Sequence, residues 1–307
     1  VSAVDHINQA FWVQSAELPN ETKVGLSKAE GENELLPTLA CLRAGATVQL
    51  LKVKREEEAL LPQLLVLEPD YLVDVTRVAA CFLVFDNKAL RAPELFFSAQ
   101  AEKRKASVPL LKGNVANFFF DEIINEKTDS RDKYDESLKR SFKTNALSYT
   151  ALSQQLGHFY HEMQEQYHNI QRTVTTDFQS GPHAPIDPAK SNLEVFLISH
   201  ELGLQGRMDL FDDSPSANGS YQAKIIELKS GRLPFPASDP QQIDYSHATQ
   251  VRLYNMLASR VLGYAPQAIY NAIFYSAASV PGQALRAVDL QPREEQRILN
   301  VRNLIVA

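Results

Sequence analysis

The distribution of apolar and polar positions changes along the chain, and it predicts a β-rich start followed by alternating helices and strands. The segments 46–54 and 62–73 are runs of β-branched and aliphatic residues, separated by a charged turn at Arg55–Glu58. Runs of this kind, bounded by turn signals, predict strands. From residue 74 the apolar positions recur with helical spacing instead. Helices are predicted at 74–82, with Asp74 or Thr76 as N-cap, at 113–126, and at 146–172 despite Gly157, and the charged stretch 127–143 is a solvated loop or a helix.

The spacing of the apolar residues changes from helical to strand-like after a loop rich in Pro, Gly and Ser at 178–192. Strands are predicted at 193–202, 205–211, 221–229 and 267–276, with a hairpin or loop at 212–220, and helices at 241–263, ended by Gly263, and at 292–307. The pattern indicates a small β-rich N-terminal domain over residues 1–70 and an α/β domain over residues 71–307. In the latter, helices at 114–126, 146–172 and 241–262 flank a mixed sheet.

Two charged residues interrupt the apolar strand predicted at 221–229. Glu227 and Lys229 lie on one face of that strand and Ile226 and Leu228 on the other, because strand side chains alternate. An E-x-K pair on a strand is common, and by itself it indicates a cross-strand charge pair at a solvated sheet edge. The alternative is a site in which charge is needed.

A third charged residue favours the second interpretation. Asp209 lies near the end of the neighbouring predicted strand, so pairing of the two strands brings its carboxylate to Glu227, with the Lys229 ammonium beside both. Two carboxylates, completed by water, a phosphate oxygen and the main-chain carbonyl of Leu228, suit Mg²⁺ or Mn²⁺, which prefer oxygen ligands. Lys229 can then orient or help to deprotonate the attacking water and offset phosphate charge. The pattern predicts a metal held against a phosphodiester.

Composition restricts the remaining possibilities. The 307 residues have a net charge of −6, which does not point to nucleic acid by itself, although a local basic groove is compatible with it. Only two cysteines, Cys41 and Cys81, are present, so we expect neither a disulfide framework nor a four-thiolate metal site, and a reducing, cytoplasmic setting. No apolar run approaches a membrane span, and no signal peptide is recognised. Because the chain starts at Val1, we expect a piece of a longer protein.

The chemistry-bearing residues occur in the order Gly206-Arg207-x-Asp209, Glu227-x-Lys229-Ser230-Gly231 and, on the next helix, Gln250-x-x-x-Tyr254. This order resembles the PD-(D/E)xK nuclease superfamily, and within it the RecB-like exonuclease branch. The resemblance implies a restriction-endonuclease-like α/β core and metal-dependent hydrolysis of DNA. It implies that Asp209, Glu227 and the Leu228 carbonyl bind metal, that Lys229 positions water, that Gln250 and Tyr254 support the site, and that Arg207, Ser230 and His247 contact substrate.

The helix at Gly113 is similar to the opening helix of that family, G-x-x-x-H, but departs from it. Asn117 stands at the position of the metal-binding histidine, and an amide is a weaker ligand than imidazole, although its oxygen can reach a metal-bound water. Asp121 and Glu122 either substitute for it in part or face solvent. Glu194 stands where related nucleases often have a glutamate, and we expect it near the site.

A closer resemblance is to the nuclease module of replication helicase-nucleases that trim single-stranded flaps, on the segments 69–82 and 298–307. That family precedes its nuclease with a small β-barrel, which fits the β-rich start, and follows it with a helicase. It often holds an iron–sulfur cluster on one upstream and three downstream cysteines. Cys81 stands near the upstream position but the downstream cysteines are missing, so we expect no cluster and Cys81 as a small buried hydrophobe.

The expected function is therefore a Mg²⁺- or Mn²⁺-dependent exonuclease or flap nuclease acting on single-stranded DNA in replication, recombination or repair, associated with a helicase domain and with no membrane. The alternatives are a non-catalytic module that binds single-stranded nucleic acid within a helicase complex, and a structural domain without DNA affinity. His158 and His161 either bind a metal together or, as is more common for histidines on a helix surface, share no ligand. Two basic clusters, Lys103 to Lys112 and Lys139 to Lys143, either contact phosphates or are simply solvated.

Overall fold

The computed structural model describes residues 1–26, 34–56, 59–85, 88–101, 106–125, 133–236, 239 and 241–307. They form two compact units. Unit 1 comprises Val1–Ala101, Leu197–Gly206 and Leu290–Ala307, and unit 2 comprises Glu102–Phe196 and Arg207–Asp289. The proposed domain boundary after residue 70 stays a prediction, and the compact units divide the chain at other positions.

The strands of the described chain are β1 Ala3–Asp5, β2 Ala10–Ser15, β3 Leu18–Gly25, β4 Val48–Leu51, β5 Lys54–Glu56, β6 Ala59–Leu61, β7 Leu64–Leu67, β8 Val73–Asp74, β9 Phe82–Phe85, β10 Lys88–Arg91, β11 Ser191–Ser199, β12 Leu204–Asp212, β13 Ala223–Lys229, β14 Ile269–Tyr275 and β15 Leu285–Ala287. The helices are α1 Leu36–Leu39, α2 Val75–Ala79, α3 Glu94–Ala101, α4 Val108–Asn125, α5 Tyr134–Thr144, α6 Ala146–Ala151, α7 Phe159–Thr175, α8 Tyr245–Leu262 and α9 Glu294–Val306, with 3₁₀ turns at Ser153–Gln155, Asp177–Gln179 and Pro266–Ala268.

Unit 1 confirms the strand-rich N-terminal region. It contains a five-stranded sheet in the order β1-β2-β3-β6-β5 and a two-stranded sheet of β4 and β7, with Phe11, Val24 and Leu65 fully buried beneath them. The turn expected at Arg55–Glu58 is wrong in its described part, because Lys54–Glu56 is a strand, and residues 57 and 58 lie outside the described residues. The strand expected at 62–73 is divided into β7 and β8.

The helix predicted at 74–82 is present in unit 1 as the shorter α2. Of its two candidate caps, Asp74 is the N-cap, and its carboxylate accepts from the backbone N–H of Thr76 at 2.9 Å. Cys81 follows the helix and is fully buried, as expected of a small hydrophobe, and burial raises the pKa of its thiol to about 11.

A buried arginine joins three segments of unit 1. Arg302 on α9 has no exposed surface and donates to the main-chain oxygens of Gly203 (3.1 Å) and Glu68 (2.7 Å). Gly203 has a φ of +59°, and a Cβ there would clash with the Arg302 guanidinium, so glycine is required. Burial lowers the pKa of Arg302 to about 10, which still leaves it charged at neutral pH.

Unit 2 is built on the mixed sheet that was predicted, in the order β11-β12-β13-β14-β15, with the first residues of β12 and the last of β11 assigned to unit 1. Strand β12 is antiparallel to β13, β13 is parallel to β14, and β14 is antiparallel to β15. Helix α8 packs on β13 and β14, while α4 and α7 pack together over a core that includes Phe119, Phe120, Leu210, Ile226 and Phe274. Helices therefore flank the sheet.

Three predicted elements of unit 2 differ from the structure. The single helix at 146–172 is wrong: α6 ends at Ala151, a 3₁₀ turn follows, and α7 starts at Phe159. Gly157 lies in the break, and a glycine inside a helix would destabilise that helix by about 1 kcal/mol relative to alanine. Helix α4 starts at Val108, so Gly113 lies inside it rather than at its start. Helix α8 starts at Tyr245 rather than 241 because Asp244 caps it, and it ends at Gly263 as predicted, with a φ of +82°.

Candidate active site

The charged pair on β13 does not lie at a sheet edge. Strand β13 lies between β12 and β14, and its residues from Ala223 to Leu228 are buried. Ile226 and Leu228 join the core beneath α4 and α7, so Glu227 and Lys229 lie on the opposite face, towards α8. The solvated-edge interpretation of the pair is therefore wrong, and the charges line an internal site.

Helix α8 supplies the polar partners of this pair. Lys229 Nζ donates to Glu227 Oε1 at 3.0 Å and to Gln250 Oε1 at 2.8 Å. Gln250 Nε2 donates to the same Glu227 oxygen at 2.6 Å. One turn later Tyr254 Oη donates to the main-chain oxygen of Arg207 at 2.7 Å, and accepts from Gln250 at 3.3 Å. The helix thus connects both charged residues of β13 to the backbone of β12.

Asp209 reaches the same place from β12. Residues Leu210 and Ile226 are register partners in the antiparallel pair, and Asp209 Oδ2 accepts from the backbone N–H of Leu228 at 2.7 Å. Burial, and then the charge of Glu227, raise the pKa of Asp209 well above its usual range, against the opposing effect of Lys229. Burial also raises the pKa of Glu227, while the Lys229 ammonium lowers it.

The two carboxylates fit a divalent cation. Glu227 is 4% exposed, and its Oε2 is buried without a hydrogen-bond partner among the described residues. An orphaned anionic oxygen beside the half-buried Asp209 carboxylate is stabilised by a hard cation that takes oxygen ligands. Within the described residues no group of three or more His, Cys, Asp or Glu side chains is arranged for a metal. Water, substrate oxygens and the Leu228 carbonyl are oxygen groups that could complete the coordination of a cation held by Asp209 and Glu227.

The two acidic residues of α4, Asp121 and Glu122, differ in their surroundings. Glu122 on α4 is engaged elsewhere, accepting from Arg140 Nε at 2.5 Å and from Ser137 Oγ at 2.5 Å. Asp121 is different: burial, and then the charge of Glu194, raise its pKa to about 6. The charge of Glu194 also contributes to the raised pKa of Asp209, so Glu194 adjoins the site electrostatically and Asp121 adjoins Glu194.

Glu194 has an unusual backbone for a strand residue. Its φ is +56°, in the left-handed region that non-glycine residues rarely adopt, at a cost of about 1–3 kcal/mol. Its carboxylate lies 2.5 Å from Arg207 Nε, and Arg207 remains 65% exposed. Arg207 therefore stands at the rim of the site, paired to a carboxylate and accessible to solvent.

Asn117 is half-buried on α4, and no hydrogen bond joins it to the described residues of the site. Its role as a metal residue stays a prediction. Asp121 lies four residues after Asn117, one turn further along the same helical face. This spacing is the sequence signal that identifies Asp121 as a neighbour of Asn117.

His247 and Ser230 both lie near Lys229, the last residue of β13. His247 Nδ1 is 3.0 Å from Tyr275 Oη, and burial, followed by the charge of Lys229, lowers the pKa of His247 to about 4. Ser230 follows Lys229, and its main-chain oxygen accepts from Gln166 Nε2 at 3.1 Å. Sequence reasoning missed Tyr275 and Gln166, because each belongs to an element whose contact with the site is set only by the tertiary fold.

The weaker candidates lie outside this arrangement. His158 is exposed and His161 is 75% exposed, 3.8 Å from Glu165, which favours surface histidines over a metal pair. Lys112 pairs with Glu162, and Arg140 with Glu122. Lys103, Arg104 and Lys105 lie outside the described residues.

Comparison with known proteins gives a family. A model of the PD-(D/E)XK nuclease superfamily matches residues 114–302, a range that contains the whole constellation. No curated protein matches the chain. A similar solved structure, a candidate exonuclease from Eubacterium rectale, is 14% identical over 78% of this chain and 84% of that one, with a TM-score of 0.41. In the described part of the chain, no helix has the length and apolar character needed to cross a membrane.

Proposed function

Because the chain belongs to the PD-(D/E)XK nuclease superfamily, we propose that it is a Mg²⁺- or Mn²⁺-dependent nuclease that hydrolyses phosphodiester bonds of DNA, as an exonuclease or flap nuclease on single-stranded ends. One observation carries the proposal: Asp209, Glu227 and Lys229 converge in a buried site in which one carboxylate oxygen has no partner. A structural charge pair would satisfy its own oxygens.

Each residue has a distinct role in the proposed reaction. Asp209 and Glu227 would hold the metal, together with the Leu228 carbonyl and, through a water, Asn117. When bound, the metal acts as a Lewis acid on the phosphate and makes its bound water more acidic. An ammonium has three N–H donors, and Lys229 uses two of them on Glu227 and Gln250. Its remaining donor orients the attacking water and offsets phosphate charge.

The supporting residues keep this geometry. Gln250 holds Lys229 and Glu227 at once, and Tyr254 anchors α8 to β12 through the Arg207 carbonyl. Arg207 and Ser230 would contact the nucleic acid. His247, with a pKa of about 4, would do so as a neutral hydrogen-bonding group at physiological pH.

The Gln250-x-x-x-Tyr254 helix supports assignment to the RecB-like exonuclease branch, and we propose an intracellular role in replication, recombination or repair, beside a helicase domain in the same or an associated chain. A second candidate is a non-catalytic module that binds single-stranded nucleic acid. It is favoured by one observation, the amide of Asn117 at the position where the resemblance expects an imidazole ligand.

The test is cleavage of end-labelled single-stranded, flapped and duplex DNA with Mg²⁺, Mn²⁺ or EDTA. Wild-type protein is compared with Lys229→Ala and with Lys190→Ala, which removes an exposed lysine of the same unit outside the site. We expect metal-dependent products that Lys229→Ala reduces by at least about 100-fold, in the range of one lost electrostatic donor, and that Lys190→Ala leaves unchanged. Salt-sensitive binding without cleavage by wild-type protein would favour the non-catalytic module.

A further inference from the structure

A cleft adjoins the catalytic strand where β13 ends. It has a volume of about 460 Å³, within the range of about 300–1,000 Å³ typical of ligand sites. Lys112 of α4 lines one side, Glu162, Gln166 and Asn169 of α7 line another, and Ser230 and Arg232 of the segment after β13 close the third. All of these residues belong to unit 2.

Hydrogen bonds connect the floor of this cleft to the catalytic strand. Gln166 donates to the main-chain oxygen of Ser230 at 3.1 Å and accepts from Ser276 Oγ at 2.9 Å. The backbone N–H of Ser276 donates to the main-chain oxygen of Lys229 at 3.1 Å. Asn169, 7% exposed, donates through Nδ2 to the Ser276 carbonyl at 3.0 Å, and its Oδ1 accepts no hydrogen bond from the described residues. A molecule in the cleft would therefore lie directly beside the backbone that positions Lys229.

The charges of the cleft are not equivalent. The Lys112 ammonium is neutralised by the Glu162 carboxylate, which pairs with it across the cleft. Glu165, 63% exposed, lies 3.8 Å from His161. Arg232 is exposed and makes no ion pair with any described residue. An uncompensated guanidinium next to a nuclease site is suited to a phosphate oxygen.

An exposed aromatic side chain follows Arg232 along the chain. Phe235 is 91% exposed and lies three residues after Arg232, so the two are within about 10 Å of each other along the chain. Exposed aromatic rings beside cationic groups are the elements that bind single-stranded nucleic acids, because unpaired bases stack on the ring while the cation contacts the backbone.

We propose that the cleft and the segment Ser230–Pro236 form a subsite for single-stranded nucleic acid next to the reacting phosphate, in which Arg232 contacts a phosphate and Phe235 stacks on an unpaired base. This proposal depends on the proposed nuclease function in one respect only, namely that the subsite lies beside the bond that is cleaved. A base held in a duplex is already stacked on its neighbours, so the subsite favours unpaired strands.

The test measures binding separately from cleavage. Fluorescence anisotropy of a short fluorescein-labelled oligodeoxythymidylate, and of the same strand annealed to its complement, is recorded in EDTA over a salt series. We expect Phe235→Ala to weaken single-strand binding by on the order of 10- to 100-fold with little effect on the duplex. Arg232→Gln should lower the slope of log affinity against log salt by about 0.7, the value for one lost single-strand phosphate contact. Lys190→Gln is the matched control, an exposed lysine outside the cleft, and should behave as wild type.

Cleavage of the same strand with Mg²⁺ separates the two proposals. If wild-type protein does not cut but both cleft variants lose binding, the nuclease assignment fails and the subsite stands. If wild-type protein cuts and both variants bind and cut with unchanged KM, the subsite is wrong and the nuclease stands. Absence of single-strand binding by wild-type protein, or equal losses in the cleft variants and Lys190→Gln, also overturns the subsite.

Discussion

The adjacent carboxylates of Asp209 and Glu227 predict that metal binding and folding are linked. The charges of Asp209 and Glu227 are unfavourable without a cation, because burial and mutual repulsion raise the pKa of Asp209. A raised pKa in the folded state means that the fold loses stability as the pH rises through that pKa, so the metal-free protein is weakened at neutral and alkaline pH. Asp209→Asn removes the charge and keeps an oxygen that can accept from the Leu228 N–H, now 2.7 Å away.

The magnitude follows from mass action. Metal at 100 times its dissociation constant stabilises the fold by about 2.7 kcal/mol. Unit 2 has about 180 residues, and at that size 1 kcal/mol shifts Tm by about 2–4 °C, so the wild-type shift should be about 5–11 °C. Asp209→Asn should abolish this shift and, at pH 8 in EDTA, should melt higher than wild type by a few degrees, as expected for about 0.5–2 kcal/mol.

Differential scanning calorimetry at pH 8, with EDTA and with a Mg²⁺ or Mn²⁺ titration, measures both quantities. Glu136→Gln provides the control, because it neutralises a 66% exposed carboxylate on α5 of the same unit and should keep the full metal shift. Linkage of metal binding to folding through Asp209 is excluded if Asp209→Asn shows the wild-type metal shift, or if it melts lower than wild type in EDTA.

Three further outcomes are expected. Lys224→Met should lower the free energy of unfolding by about 3–5 kcal/mol in urea titrations, because it leaves Asp212 buried and uncompensated, and the double variant with Asp212→Asn should recover part of the loss. Tyr254→Phe should destabilise by about 0.5–1.5 kcal/mol by removing the donor to the half-buried Arg207 carbonyl, and a wild-type midpoint would contradict the proposed anchor. His247 has its pKa lowered to about 4, so stability should fall as the pH drops from 6.5 towards 4; His247→Gln should flatten that part of a Tm–pH profile, and an unchanged slope would argue against it.

Local patterns predicted the elements on which the site is built. The alternation in 221–229 and the residues before the hairpin placed Asp209 and Glu227 on paired strands, and β12 and β13 are antiparallel as required. The four-residue spacing of Gln250 and Tyr254 predicted a shared helical face, and both side chains do point to the strands. These predictions succeed because the repeat of a strand or a helix determines the direction in which each side chain projects over a few residues.

Other features depend on the tertiary fold and gave no local signal. The break at Gly157 reflects how Leu156 and Phe159 reach the core, which a helical pattern with one glycine does not reveal. Strand β15 has only three residues, too few for any periodicity. The cleft joins residues of α4, α7 and the segment after β13, which are more than 100 residues apart at the extremes, so no spacing rule predicts it.

Two lysines of β13 differ in how far their hydrogen-bond donors are satisfied, and this difference distinguishes a structural lysine from a functional one. Lys224 and Lys229 stand at the two ends of β13, each beside a carboxylate, and the sequence AKIIELK does not distinguish them. Lys224 has no exposed surface, and its ammonium has four acceptors within 3.0 Å, so it has no donor left for a ligand. Lys229 is 20% exposed, donates to two acceptors, and faces a carboxylate whose second oxygen is orphaned. Because buried polar groups are normally satisfied by the protein itself, the unsatisfied end of the strand is the one built to meet another molecule.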